Sequence, residues 1–257
     1  MPASDLGLLI DAARAAGRIA TGYAGQTAKR WDKPEGAGPV TEADLAVDAM
    51  LAKRLRTARP DYGWLSEESR DDGARLSAGR VFIIDPIDGT RAFIEGSSAW
   101  AHALAVVEDG IVTAAVIYLP MKDKLYAAAA GEGATLNGAP IRVGAQAALE
   151  GATLLSARPV HEARHWRGPV PAFRREYRPS LAYRLSLVAE GRFDAMLTLR
   201  RTWEWDIAAG DLILREAGAR TSDRRGQAMR FNNTVPQLDG MIAANPVLHA
   251  ELAGALA

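Results

Sequence analysis

The sequence contains no cysteine. Disulfides, thiolate nucleophiles and cysteine-based zinc sites are therefore excluded, and a cytoplasmic location is the expectation. An excess of charge of either sign is also missing: 31 Lys and Arg balance 31 Asp and Glu, for a formal net charge of zero. That balance gives no support to a nucleic-acid or membrane-surface partner. It leaves a small anionic substrate open, because local fields and bound metals decide that. No apolar run approaches the roughly 20 residues that cross a bilayer. Met1-Pro2-Ala3-Ser4-Asp5 lacks the cationic and apolar regions of a signal peptide, so neither a leader nor a membrane span is expected.

What is present is an ordinary globular composition, 48% hydrophobic and 24% charged, at a length that suits one large domain or two modest ones. Leu9, Ala12, Ala16 and Ile19 have helical spacing, predicting a helix over Ser4–Gly22 with Ser4 as N-cap. Lys33–Pro39 is rich in Gly and Pro and reads as a mobile loop. Val47, Leu51 and Leu55 mark a second helix from Thr41 to about Arg56. Val81–Ile84 is a short apolar run typical of a buried strand. From Ala101 to Val143 strands and turns dominate, with Asn137-Gly138 a strong hairpin signal. Beyond lie a strand near Thr153, a helix over Leu181–Glu190 stopped by Gly191, and a strand over Phe193–Leu199. Helices follow over Asp206–Ala217, stopped by Gly218, and after Asn245-Pro246. Mixed elements without a regular βαβ repeat indicate an α+β layered fold. The change of pattern near residue 145 suggests two parts: residues 1–145, with most candidate ligands, and residues 146–257.

The sharpest local feature is Asp85-Pro86-Ile87-Asp88-Gly89-Thr90, directly after the apolar run. A strand delivers its end to one fixed point, and Pro86 forces a turn. Asp85 and Asp88 can then project into the same space with the Ile87 carbonyl facing inward. Hard cations such as Mg²⁺ take oxygen ligands of this kind. Gly89 lets the backbone approach a ligand, amides opening a following helix suit a phosphate oxygen, and Thr90 adds a hydroxyl that can orient water. Taken alone, the segment is better read as a polar turn. Three further acidic sites change the odds: Glu67-Glu68-Ser69 after Trp64-Leu65-Ser66, Asp206 in Trp203–Gly210, and Thr41-Glu42-Ala43-Asp44. Each also has a plain explanation, respectively a solvated loop, a helix N-cap and a capping box.

In this order and spacing the four segments resemble the inositol monophosphatase family of magnesium-dependent, lithium-sensitive phosphatases. Asp85–Thr90 is similar to the first family signature, although Arg91-Ala92-Phe93 stands where Asn or a related residue often follows. Trp205-Asp206-Ile207-Ala208-Ala209-Gly210 is similar to the second. The resemblance implies a layered α-β-α-β-α sandwich, a homodimer and two or three Mg²⁺ ions. One ion would be held by Glu67, Asp85 and the Ile87 carbonyl, and a second by Asp85, Asp88 and Asp206. Thr90, with Asp44 behind it, would position the attacking water alongside Glu67. The Gly89 and Thr90 amides would cradle the phosphate, and the Lys33–Pro39 loop would be a flap with a further metal site. Two cations about 3.5–4 Å apart can clamp the attacking and leaving oxygens of an in-line displacement, so no Cys, Ser or His nucleophile is needed.

The resemblance leaves the substrate open. Pro179–Gly191 together with Glu204-Trp205-Asp206 looks closer to a bacterial branch acting on 3′,5′-bisphosphorylated adenosine. Thr90-Arg91-Ala92-Phe93 also occurs in histidinol-phosphate phosphatases. Arg184, Arg200 and Arg201 can supply charge for a second phosphate or be solvated surface, and inositol monophosphate fits equally. Two readings of other classes compete. His161-Glu162-Ala163-Arg164-His165 matches the zinc-protease pattern H-E-x-x-H, but Pro159 and Pro169 leave barely two helical turns and no third ligand follows. His102 and His249 read as ordinary packed or surface residues. A non-catalytic regulatory protein on the same fold is the other alternative, against which stands the complete ligand set.

Overall fold

The computed structural model describes residues 4–23, 28–33 and 38–257. Most of the Lys33–Pro39 flap expectation thus lies outside the described residues. Helix α1 (Asp5–Gly22) starts at the Ser4 N-cap, whose side chain accepts from the Gly7 N–H. A short antiparallel ribbon, β1 (Arg30–Asp32) and β2 (Pro39–Thr41), leads into α2 (Glu42–Ala58). Thr41 and Asp44 form the expected capping box at its start.

The first sheet has seven strands in sequence order: β3 (Gly63–Ser66), β4 (Arg80–Asp88), β5 (Ala101–Glu108), β6 (Ile111–Leu119), β7 (Lys124–Ala129), β8 (Ala134–Leu136) and β9 (Ala139–Pro140). Only β3 and β4 run parallel; the rest is an antiparallel meander. The turn at Asn137-Gly138 has positive φ at both residues, as a two-residue hairpin requires. A short helix α3 (Thr90–Ile94) follows β4.

Beyond residue 150 the chain runs β10 (Thr153–Ser156), β11 (Arg174–Glu176), α4 (Leu181–Ala189), β12 (Ala195–Thr198), β13 (Thr202–Trp203), α5 (Glu204–Glu216), β14 (Arg220–Ser222), β15 (Gln237–Leu238), β16 (Met241–Ala244) and α6 (Pro246–Ala255). Strands β11-β10-β12-β16-β14 make the second sheet, and β13 pairs with β15.

Strand alternation sorts the side chains into three cores. Phe82, Ile84, Leu104 and Val106 pack against α1 and α2; Val81, Ile83, Ala103 and Ala105 face the opposite way, toward α4 and α5. The second sheet repeats this, with Leu155, Met196 and Met241 toward α4 and α5 and Leu154, Leu197 and Ile242 toward α6. The layers are therefore α1/α2, first sheet, α4/α5, second sheet and α6, the α-β-α-β-α sandwich the resemblance implied. Gly210 explains one signature glycine: a Cβ there would overlap the Leu185 side chain, so Gly210 is what lets α5 lie against α4.

Candidate active site

The acidic residues converge because of an irregularity in β4. The strand does not end at Ile84 but runs to Asp88, pairing Asp85 with Ala103 and Asp88 with Ala101, with a register shift between. Residues three apart on a regular strand face opposite sides. Here the extra residue reverses the alternation: Ile87 joins Phe82 and Ile84 in the α1/α2 core, and Asp85 and Asp88 emerge together. The expected turn is thus a bulge within a continuing strand. His102, opposite the bulge on β5, presents its Nδ1 to the Pro86 carbonyl; since a carbonyl only accepts, Nδ1 carries the proton. Burial pulls the pKa of this ring down to about 4, so it is neutral.

Asp206 reaches the same point from α5. That helix begins at Glu204, with Trp203 at the N-cap, so Asp206 is its third residue and not the cap. The start is set two residues early by the β13–β15 ribbon and by the Glu204 N–H bonding to the Pro236 carbonyl at 3.0 Å. Carboxylate oxygens of Asp85, Asp88 and Asp206 all lie within 4.8 Å of one another.

Each of the three is electrostatically uncomfortable. Burial, then Glu67, Asp88 and Asp206, holds Asp85 well above the usual carboxylate range. Burial, then Asp88 and Glu67, does the same to Asp206. Burial pushes Asp88 up to about 6, opposed by the Ser180 hydroxyl and the Ala182 N–H, both 2.6 Å from its Oδ2. Asp85 Oδ1 is buried with no hydrogen-bond partner among the described residues. An orphaned carboxylate oxygen amid two further carboxylates is the donor set a hard divalent cation takes, so the residues present fit Mg²⁺.

Glu67 lies just past the end of β3. Its Oε1 pairs with Lys33 Nζ at 2.8 Å, and the same ammonium reaches Glu68 Oε1 at 2.7 Å. Burial pushes Glu68 up to about 7, despite the Lys33 bond. Thr90 Oγ1 lies 3.3 Å from Asp44 Oδ1 and 3.2 Å from the Ile87 carbonyl oxygen, which places that carbonyl on the Thr90 side of the bulge. Asp44 is itself fully buried and raised to about 6, chiefly by desolvation.

A cavity of about 630 Å³ adjoins this centre, lined by Glu67, Gly89 and Thr90 and also by Arg184, Arg200 and Tyr177. Arg184 is buried, its guanidinium 4.4 Å from the Tyr177 ring centroid and its Nε donating to the Arg178 carbonyl. Arg201, also considered from sequence, is exposed and does not line the cavity. The H-E-x-x-H segment forms two 3₁₀ turns, Arg158–His161 and Ala163–His165, instead of one helix, so its histidines do not share a helical face. His161 packs on Phe173 with ring centroids 4.7 Å apart, and His165 lines the cavity. Sequence reasoning missed Lys33, Asp48 and Ser180 as neighbours of the site; their partners are distant in the chain, and only the lysine in the flap segment offered a signal.

A layered α/β sandwich with a buried carboxylate centre of this composition defines a magnesium-dependent hydrolase of the sugar-phosphatase type. The profile of the inositol monophosphatase family matches residues 3–257, and the chain belongs to that family. It is 37% identical over 202 residues to an inositol-1-monophosphatase of Rhizobium meliloti, covering 73% of each chain. A histidinol-phosphatase of Mycobacterium tuberculosis is 36% identical over 226 residues, with 83% of each chain covered. Among solved structures, the extragenic suppressor protein suhB of Bartonella henselae superposes with a TM-score of 0.81 at 30% identity, covering 96% of each chain. Among the described residues, no helix is long and apolar enough to cross a membrane.

Proposed function

We propose that this protein hydrolyses a small phosphate monoester with Mg²⁺ and water, and that the substrate carries a second anionic group. The observation that carries the reading is the convergence of Asp85, Asp88 and Asp206, with Asp85 Oδ1 unpartnered, beside a cavity that also holds a buried arginine. Glu67, Asp85 and the Ile87 carbonyl would hold one ion; Asp85, Asp88 and Asp206 would hold the second. Bound Mg²⁺ supplies Lewis-acid polarisation of phosphoryl oxygens and makes water more acidic. The Thr90 hydroxyl, backed by Asp44, and the Glu67 carboxylate orient the attacking water and draw its proton. The Gly89 and Thr90 amides bind phosphate oxygens. The new P–O bond comes from water, and the ester P–O bond breaks to give inorganic phosphate and an alcohol.

Arg184 makes no salt bridge among the described residues, and burial lowers its pKa from the ordinary value. Arg184 feels the Asp88 carboxylate without reaching salt-bridge distance, and a buried cation that faces a cavity in this way can receive a substrate anion. This favours 3′(2′),5′-bisphosphorylated adenosine over inositol monophosphate. Histidinol phosphate fits less well, because its cationic portion would face Arg184 and Arg200. The homodimer and the cytoplasmic location are proposed on the family resemblance and composition alone.

The test is phosphate release from inositol 1-phosphate, 3′-phosphoadenosine 5′-phosphate and histidinol phosphate, with and without Mg²⁺. Magnesium-dependent release strongest from the bisphosphate is expected. Release from none of the three, with ion binding intact, would overturn the reading in favour of the regulatory alternative.

A further inference from the structure

Helix α2 carries two buried aspartates one turn apart, and the mechanism above uses only Asp44. The other, Asp48, is 8% exposed, and both its oxygens are engaged. Oδ1 accepts from Ser66 Oγ at 2.5 Å and Oδ2 accepts from Ser69 Oγ at 2.7 Å. These two hydroxyls bracket Glu67-Glu68. Ser69 Oγ is held from its other side by Trp64 Nε1, which donates at 3.1 Å.

The Glu67 segment needs such support. Strand β3 ends at Ser66, and past it the ladder supplies one backbone bond, from the Glu67 N–H to the Ile84 carbonyl at 3.2 Å. Residues four apart on a helix share a face, separated by about 6 Å along the axis. One face of α2 therefore touches Thr90 through Asp44 and brackets Glu67 through Asp48. Helix α2 is itself fixed by the capping box at Thr41 and by Val47, Leu51 and Leu55 in the core.

We infer that Asp48 is a positioning residue: by holding Ser66 and Ser69 it sets where the Glu67 carboxylate lies relative to Thr90. The inference rests on the roles given to Glu67 and Thr90 in the proposed function. Asp48 touches neither ion nor substrate and acts through Glu67.

The test compares Asp48→Ala, Asp48→Asn, Ser69→Ala, Glu67→Gln and the double variant Asp48→Ala/Glu67→Gln. Each is assayed for Mg²⁺-dependent turnover, for Mn²⁺ affinity from the free-ion spectroscopic signal, and for thermal midpoint. Loss of a supporting partner of a metal site costs about 10–100-fold in affinity or activity, so Asp48→Ala is expected to lower kcat and Mn²⁺ affinity in that range with substrate KM little changed. Asp48→Asn, which keeps the volume and one acceptor, recovers most of the loss. In the Glu67→Gln background Asp48→Ala costs no more than about twofold, the non-additivity expected of residues acting as a unit. If Asp48→Ala does not fold, the partly exposed Ser69→Ala carries the test, with the same direction of effect in kcat and Mn²⁺ affinity. Full activity and Mn²⁺ affinity in the variant that folds, or an equal further loss in the Glu67→Gln background, overturns the inference. A fully active Glu67→Gln instead overturns the functional reading on which it rests.

Discussion

Two walls meet at the cavity and are built differently. The acidic wall is the centre that adjoins it, and all but one of its carboxylates sit on regular elements. Strand β4 with its bulge supplies Asp85 and Asp88, α2 supplies Asp44 and the first turn of α5 supplies Asp206, while Glu67, which lines the cavity itself, follows the end of β3. The cationic wall combines one helical residue, Arg184, with Tyr177, Pro179 and Arg200 from connecting segments. Chemistry that needs carboxylates placed to a fraction of an ångström sits on strands and helices whose packing locks them. The recognition proposed for Arg184 and Arg200 would rest largely on segments whose length and residue type can change without disturbing the sheets. One family can thus keep a single reaction while its relatives are named for different substrates.

Four experiments break or sharpen that contrast. The largest effect is expected from Asp88→Asn, which removes a charge from the acidic wall but keeps an oxygen for Ser180 and Ala182. Turnover should fall at least about 100-fold with the circular dichroism spectrum unchanged, and an active variant would refute the ligand assignment. Next comes Arg184→Ala on the opposite wall. It should raise KM for the bisphosphate about tenfold or more, since charge-assisted bonds are the strong ones, and leave p-nitrophenyl phosphate hydrolysis nearly intact. Equal losses on both substrates would erase the distinction between the walls. Third, Gly210→Ala pushes into Leu185 where α5 meets α4, the two helices that carry Asp206 and Arg184. Overpacking of this kind costs about 1–3 kcal/mol, read from denaturant unfolding, and an unchanged midpoint would show that the contact is slack.

The smallest effect concerns a residue away from both walls. His249 Nε2 lies 2.8 Å from Ser222 Oγ, and burial, then Arg220, pulls the imidazole pKa down to about 4. The unfolded chain takes up this proton first, near pH 6.5. The stability tied to the neutral ring is therefore complete above that pH and declines as pH falls toward 4. His249→Gln should flatten that part of the thermal midpoint profile while leaving neutral-pH turnover unchanged. A profile as steep as the parent's would assign the acid sensitivity elsewhere.

Much of the site could be read from the chain because its signals are local. Asp85–Thr90 and Trp205–Gly210 pack unusual residue types into short stretches, and the helices of the first and last layers announce themselves by spacing and caps. The bulge was less legible: Pro86 and Gly89 suggest a turn, whereas pairing to Ala101 beyond the irregularity keeps Asp88 in the strand. The start of α5 was misplaced because a ribbon partner over thirty residues away sets it. Asp48 carries no sequence signal, and Ser66 and Ser69, although they belong to a segment that carries the resemblance, give no hint of their bonds to it, since a serine beside a glutamate shows no partner until a helix face is brought against it. Ser180 read as part of a helix start, yet its hydroxyl is spent on Asp88.

That last contact bears on which cation this centre accepts. With two donors on Oδ2, Asp88 has one oxygen left to offer an ion and cannot chelate it with both. Calcium favours six to eight oxygens, often with bidentate carboxylates, whereas magnesium tolerates few protein ligands and retains several waters. By tying down a single carboxylate oxygen, the start of α4 would restrict Asp88 to one-oxygen ligation of any ion the centre holds, the mode that magnesium tolerates.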